Sequence, residues 1–159
     1  MSNQLIKDAL KPLQYVTAQG EIKELDPKAL LTFSEDNLPL SATANDYFLV
    51  ARLAERKRLE AKDLNSQLDA LRGSLYIKYV KSESFKALNN GRKPPESMLN
   101  TAINSDASYL ELQQKANEAD YQARTLSWLV KALDMKSNLM QTVSANKRKE
   151  LDMKTGGFK

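Results

Sequence analysis

Five cations and three aromatic rings crowd one stretch of this chain, and no other stretch is better equipped for chemistry. Lys78, Lys81, Lys86, Arg92 and Lys93 are joined there by Tyr76, Tyr79 and Phe85, with Glu83 as the opposing charge. Cationic side chains bind backbone phosphates while aromatic faces stack on unpaired bases, so the mixture suits single-stranded nucleic acid. A second reading stands beside it: the rings pack one end of a helical pair and the lysines keep that end solvated. Lys147, Arg148 and Lys149 could add phosphate contacts, although cations also suit a helix C-terminus through its dipole. A third group, Arg52, Arg56, Lys57, Arg58 and Lys62, interleaves with Glu55, Glu60 and Asp63, which is also the pattern of an ordinary charged helix face.

Much catalytic chemistry is ruled out by composition. The 159 residues include no His and no Cys, which removes the commonest general base, the usual transition-metal ligands, thiolate nucleophiles and disulfides. Glu111, Glu118 and Asp120 could hold a hard cation or move protons, but their spacing is that of a solvated helix face. No phosphate-cradling GxxxxGK loop occurs, and Gly91 stands alone. The expectation is a protein that is not an enzyme and uses no cofactor or metal. With no apolar run of about 18 residues and no basic-then-apolar leader after Met1, a soluble intracellular protein without a membrane partner is expected.

The elements that must position these groups are helical. Hydrophobic residues make up 42% of the chain and charged residues 28%, with five Gly and five Pro, a balance that predicts an all-α protein of extended helices. Two long amphipathic segments dominate, Asn45 to about Lys86 and Ser105 to about Lys147. The first carries an apolar stripe through Tyr47, Val50, Ala54, Ala61, Leu64, Leu68, Leu71 and Leu75, interrupted by Lys57. The second runs through Tyr109, Leu112, Ala116, Ala119, Ala123, Leu126, Val130, Leu133 and Met140, interrupted by Ser137. Laid antiparallel so that facing positions sum to 194, the stripes set large residues against small ones, as in Leu75 with Ala119 and Ala54 with Met140. Complementary volumes at facing sites predict a coiled-coil-like antiparallel helical hairpin.

Smaller elements surround it. Helices are expected from Asn3 to about Gln14 and from Pro27 to Leu31, with a turn near Gly20 between them and a loop from Ser34 to Ser41. Thr43 and Asp46 have capping-box spacing. Gly73 marks either a close helix contact or a tolerated surface position. Asn89-Asn90-Gly91 ends the first long helix, Pro95-Glu96 opens a short helix in the connecting segment, and Ser105-Asp106 caps the second long one. The expected organisation is an acidic N-terminal segment over 1–44, the hairpin for nucleic-acid binding and oligomerisation over 45–150, and a basic, flexible tail over 151–159. Positive charge is concentrated: residues 47–94 hold eleven Lys and Arg against five Asp and Glu, in a chain of net charge +4.

The last helix has more apolar surface than one partner can cover. Tyr121, Trp128, Ala132, Met135 and Leu139 form a second line, with Trp128 rotated about 200° from Leu126 at 100° per residue. Either the N-terminal third folds over this side or another copy of the chain does, and the expectation is a homo-oligomer through Tyr121, Trp128, Met135 and Leu139.

Residues 50 to 150 resemble the UvsY-like bacteriophage recombination mediators. The likeness lies in a long helix with a basic second half, the loop NNGRKPPESML, the restart NSDASYLELQQKA and the closing LSWLVKALDMKSNLMQTVSANKRKE. The resemblance implies an oligomeric adaptor that binds single-stranded DNA and helps a RecA-like recombinase replace single-strand-binding protein, in the cytoplasm of the infected bacterial host. Lys78 and Lys81 occupy the stretch that binds DNA in that family, and the last helix is the part that assembles. Where a basic, glycine-bearing step would follow Lys136-Ser137, this chain has Asn138-Leu139. The rival reading is a phage structural or chaperone-like coiled-coil protein that acts only through protein contacts.

Overall fold

The computed structural model describes residues 11–17 and 19–156. Along them run strands β1 (Leu13–Val16) and β2 (Ile22–Leu25), then helices α1 (Pro27–Leu31), α2 (Leu40–Lys81), α3 (Glu83–Ala87), α4 (Glu96–Asn104) and α5 (Ala107–Gly156). The chain is mostly helical, as its composition predicts, with a small sheet added.

That sheet corrects the expected first helix, of which residues 3–10 lie outside the described residues. Leu13 and Gln14 belong to β1, which pairs antiparallel with β2 so that Leu13 faces Leu25 and Val16 faces Ile22. Pro12 lacks an N–H and biases the residue before it away from the helical region. Leu13 and Tyr15 are half-buried while Gln14 and Val16 are exposed, the period of two that a strand requires. The turn expected at Gly20 is present. Gly20 has φ +83°, Thr17 N–H donates to Glu21 O at 2.8 Å, and the Thr17 hydroxyl accepts from Glu21 N–H at 3.2 Å. Pro27 opens α1 behind Asp26, whose Oδ1 accepts the Lys28 N–H at 2.9 Å.

The first compact unit joins the described residues up to Glu55 to those from Arg124 onward. Its core gathers Leu25, Val50, Ala54, Leu126, Leu129 and Leu133, with Leu13, Tyr15, Leu30, Leu31, Leu53 and Val130 packed against it. The hairpin of strands and α1 thus contribute to one core with α2 and α5. Each fully buried Leu or Val contributes about 1.5–3 kcal/mol. The helix α2 starts at Leu40, earlier than the expected Asn45, because Pro39 supplies the carbonyl that takes the Thr43 N–H at 2.9 Å. The capping box therefore does not form at Thr43, which lies a turn inside the helix and is buried. The α5 helix continues to Gly156, so residues 151–156 are helical rather than a separate tail.

The second unit covers Arg56–Ala123. Leu75, Ile103 and Tyr109 form its buried centre, with Leu68, Leu71, Tyr76 and Tyr79 packed around them. Here α2 ends at Lys81, short of the expected Lys86, because Ser82 is extended (ψ 123°) before α3 resumes. The chain then turns at Asn90 (φ 54°) and Gly91 (φ 77°), and Gly91 N–H closes onto Lys86 O at 2.8 Å, the left-handed helix stop that glycine favours. Pro95 precedes α4 as its N-cap residue. Asp106 caps α5 by accepting the Ser108 N–H at 3.0 Å and the Ser108 hydroxyl. A Cβ added at Gly73 would meet nothing within 4 Å, so this is a tolerated surface glycine and not a close helix contact.

Burial follows the two expected stripes. Val50, Ala54, Leu126, Leu133 and Met140 are buried in the first unit, and Ala61, Leu75, Tyr109, Ala116, Ala119 and Ala123 in the second. Tyr47 is a correction, being exposed. Leu129 and Lys136 are buried although neither lies on the stripe.

Candidate functional site

Helix α2 places Tyr76 and Tyr79 three residues apart, so the two rings sit on adjacent turns of one face. Both hydroxyls are engaged. Tyr76 donates to Glu96 Oε1 at 2.7 Å, at the start of α4, and Tyr79 donates to Asp106 Oδ2 at 2.8 Å, at the cap of α5. The ends of three helices of this unit are tied together by these two phenols.

Cations lie over the same rings. Lys78 Nζ is 5.3 Å from the centre of the Tyr79 ring and 4.0 Å from Asp106 Oδ2. Lys93 Nζ is 5.8 Å from the centre of the Tyr76 ring, donates to the Tyr76 hydroxyl at 3.3 Å and reaches Glu96 at 3.6 Å. These contacts shift the ionisations. Asp106 is held at about 2, first by the Ser108 hydroxyl and next by Tyr79. Tyr79 is raised by the bond it makes to Asp106. Lys93 is raised by its bond to Tyr76, with Glu96 adding attraction.

The remaining cations differ in how free they are. Lys86 pairs with Glu83 at 2.8 Å. Lys81 and Arg92 are exposed, and their side chains have no partner among the described residues. Phe85 packs on Tyr79 with ring centres 5.0 Å apart and planes tilted by 39°. Its other surroundings include a largely open cavity of about 450 Å³ lined also by Ser97, Met98, Thr101, Ala102 and Ser105. All seven residues expected to bind nucleic acid thus fall in one unit, but the two tyrosines are bound to protein carboxylates. The cavity beside Phe85 was not foreseen, because no local spacing signals an opening formed by α3 and α4 together.

No known protein family, curated protein or solved structure matches the chain. Function is therefore read from geometry and charge.

The other expected groups stand as follows. Lys147 is tied down, donating to Glu35 O at 2.6 Å and reaching Asp36 at 3.3 Å. Arg148 Nε donates to Ser144 O at 3.4 Å, while Lys149 is exposed. Arg52 lies 5.9 Å from the centre of the Phe48 ring, and Lys57 pairs with Glu60 at 2.8 Å. Glu111 accepts from Lys115 on its own helix at 2.6 Å, and that bond holds its carboxyl below the usual carboxylate range. Among the described residues no group of three or more acidic side chains is gathered as metal ligands, and no helix is long and apolar enough to cross a membrane. On α5, Trp128 (64%), Met135 (65%) and Leu139 (54%) are exposed in the first unit, and Tyr121 (59%) in the second.

Proposed function

We propose that this chain is a non-enzymatic, oligomeric single-stranded-DNA-binding protein that helps load a RecA-like phage recombinase in place of single-strand-binding protein. Its working form is an antiparallel helical hairpin in the 194 register, repeated in a homo-oligomer within the infected cell. The observation that carries the reading is that Lys81 and Arg92 are exposed and without neutralising partners among the described residues, in the same unit as Phe85 and its open cavity. Phosphates bind the two cations, and a base stacks toward Phe85. The faces of Tyr76 and Tyr79 already carry Lys93 and Lys78, so those tyrosines build the platform instead of stacking on bases. Surface ion pairs such as Lys86 with Glu83 are weak and screened by salt, which lets Lys86 exchange its partner for phosphate. Repetition of a modest patch around an oligomer multiplies affinity through effective concentration. The recombinase and single-strand-binding-protein partners rest on the resemblance of residues 50–150 to UvsY-like mediators.

The test is the anisotropy of labelled oligo-dT and of duplex at two salt concentrations. The expected outcome is preference for oligo-dT, little sequence dependence and a steep loss with salt, since phosphate contacts carry no base information. Absence of oligo-dT binding at low salt sinks the proposal. It would leave the rival protein-only scaffold, which is favoured by one observation: both tyrosine hydroxyls are spent on holding helix ends together.

A further inference from the structure

A cavity of about 380 Å³ opens in the first unit, and its wall is acidic: Glu24, Asp26 and Asp46 line it against one cation, Lys136. Three carboxylates and one ammonium leave a net charge of −2. The ammonium is already engaged, since Lys136 Nζ donates to Leu30 O at 2.5 Å. The carboxylates are freer. Asp46 is half-buried, and neither it nor Glu24 has a side-chain partner among the described residues. Asp26 uses Oδ1 to cap α1. An acidic wall alone is ordinary surface, but Thr43 adds a second observation. It lines the same cavity at 2% exposure, and its hydroxyl has no partner among the described residues. Other threonine hydroxyls in these helices bond the carbonyl four residues back, as Thr101 does to Ser97 O and Thr142 to Asn138 O. A buried hydroxyl left unpaired is costly, and this one lies three residues before Asp46, on the same face of α2.

From this conjunction we infer that the cavity binds an aliphatic diamine. One ligand ammonium donates to the Asp46 carboxylate and to the Thr43 hydroxyl oxygen, the other meets Glu24 and Asp26, and the methylenes lie along Leu25 and Leu49. The size is that of a small-molecule site, for which about 300 Å³ and upward is usual. Charge selects the ligand class. Two positive charges match the net −2 of the wall, and a cleft lined by an excess of one sign concentrates its counter-ions. The Lys136 ammonium opposes a cation, but the three carboxylates outnumber it. An inorganic dication is a poorer match, because it needs several oxygens gathered on one point, and among the described residues no group of three or more acidic side chains is gathered as metal ligands. A diamine carries its charges apart, as the wall does. The inference rests on the first unit and not on the nucleic-acid reading.

The experiment titrates the full chain with putrescine and cadaverine at fixed ionic strength, and follows the Thr43 methyl and neighbouring leucine methyls by NMR. Butylamine, butanediol and magnesium ion are the controls. The diamines should give saturable shifts, butylamine should bind about tenfold more weakly for want of its second charge-assisted bond, and butanediol and magnesium should give none. Asp46→Asn should reduce diamine affinity by about tenfold, the size expected for losing a charge-assisted hydrogen bond. Thr43→Val removes the unpaired hydroxyl, so it should leave the denaturation midpoint of the free chain no lower while weakening diamine binding several-fold. Should one variant fail to fold, the other carries the test. No saturable diamine shift, equal binding of butylamine or magnesium, or unchanged affinity in the folded variants would each overturn the inference.

Discussion

Tyr79 works through both of its parts: the hydroxyl holds Asp106 at the start of α5, and the ring lies beneath Lys78. Because Asp106 is lowered from 3.8 to about 2, its contribution to stability is present above the unfolded value and is lost as pH falls toward 2. Tyr79, raised above 10.0, contributes below that value and loses its contribution as pH rises through the folded one. A carboxyl NMR titration should therefore place Asp106 near 2, and Tyr79→Phe should move it upward. It should stay below 3.8, since the Ser108 hydroxyl is the larger cause. A second residue-scale prediction concerns Lys81→Ala with Arg92→Ala. Losing two phosphate contacts should reduce the salt slope for oligo-dT by about 1.4, with helicity by circular dichroism unchanged. An unaltered slope would place the DNA surface elsewhere.

At the scale of elements, two glycines predict opposite effects of the same substitution. Gly73 sits within α2 with open space around its missing Cβ, so Gly73→Ala should stabilise by up to about 1 kcal/mol. Gly91 ends the α3 segment at φ +77°, where a side chain is strained, so Gly91→Ala should destabilise by about 1–2 kcal/mol. Chemical denaturation of both variants checks the pair through their midpoints. Much of this level was readable beforehand. The stripes, the Asp26-Pro27 start, the Gly91 stop and the Asp106 cap each depend on neighbours within a few residues. The early start of α2 at Leu40 and the interruption at Ser82 were not readable, because Pro39 can end or begin a segment and serine tolerates both conformations. The strand at Leu13–Val16 was missed for a related reason: four residues give too short a run for period two to be told from a helix turn until β2 pairs with them.

For the molecule as a whole, the decisive surface is the side of α5 opposite its buried stripe. The N-terminal strands and α1 pack with Leu126, Leu129 and Leu133 and leave Trp128 at 64% exposure. Contiguous apolar surface of this kind marks interfaces, and under the proposed function it joins copies of the chain. Light scattering should report an oligomer, and Leu139→Asp should shift it to the monomer, with Trp128 emission already red-shifted in that variant. A wild-type chain that stays monomeric at high concentration removes the assembly, and with it the pooling of weak cationic patches.

Helical content, the two stripes, the Asp26 and Asp106 caps and the concentration of cations between Lys78 and Lys93 were determined by sequence alone, because each arises from residue type and spacing along a single helix or turn. Which groups are free to act was decided only by tertiary structure. Tyr76, Tyr79 and Lys147 look available in sequence but find partners on distant segments, at Glu96, Asp106 and Glu35. Lys136 looks like one more surface cation and is buried beside Leu30. Availability depends on what the rest of the chain brings within a few ångströms, and local spacing carries no record of that.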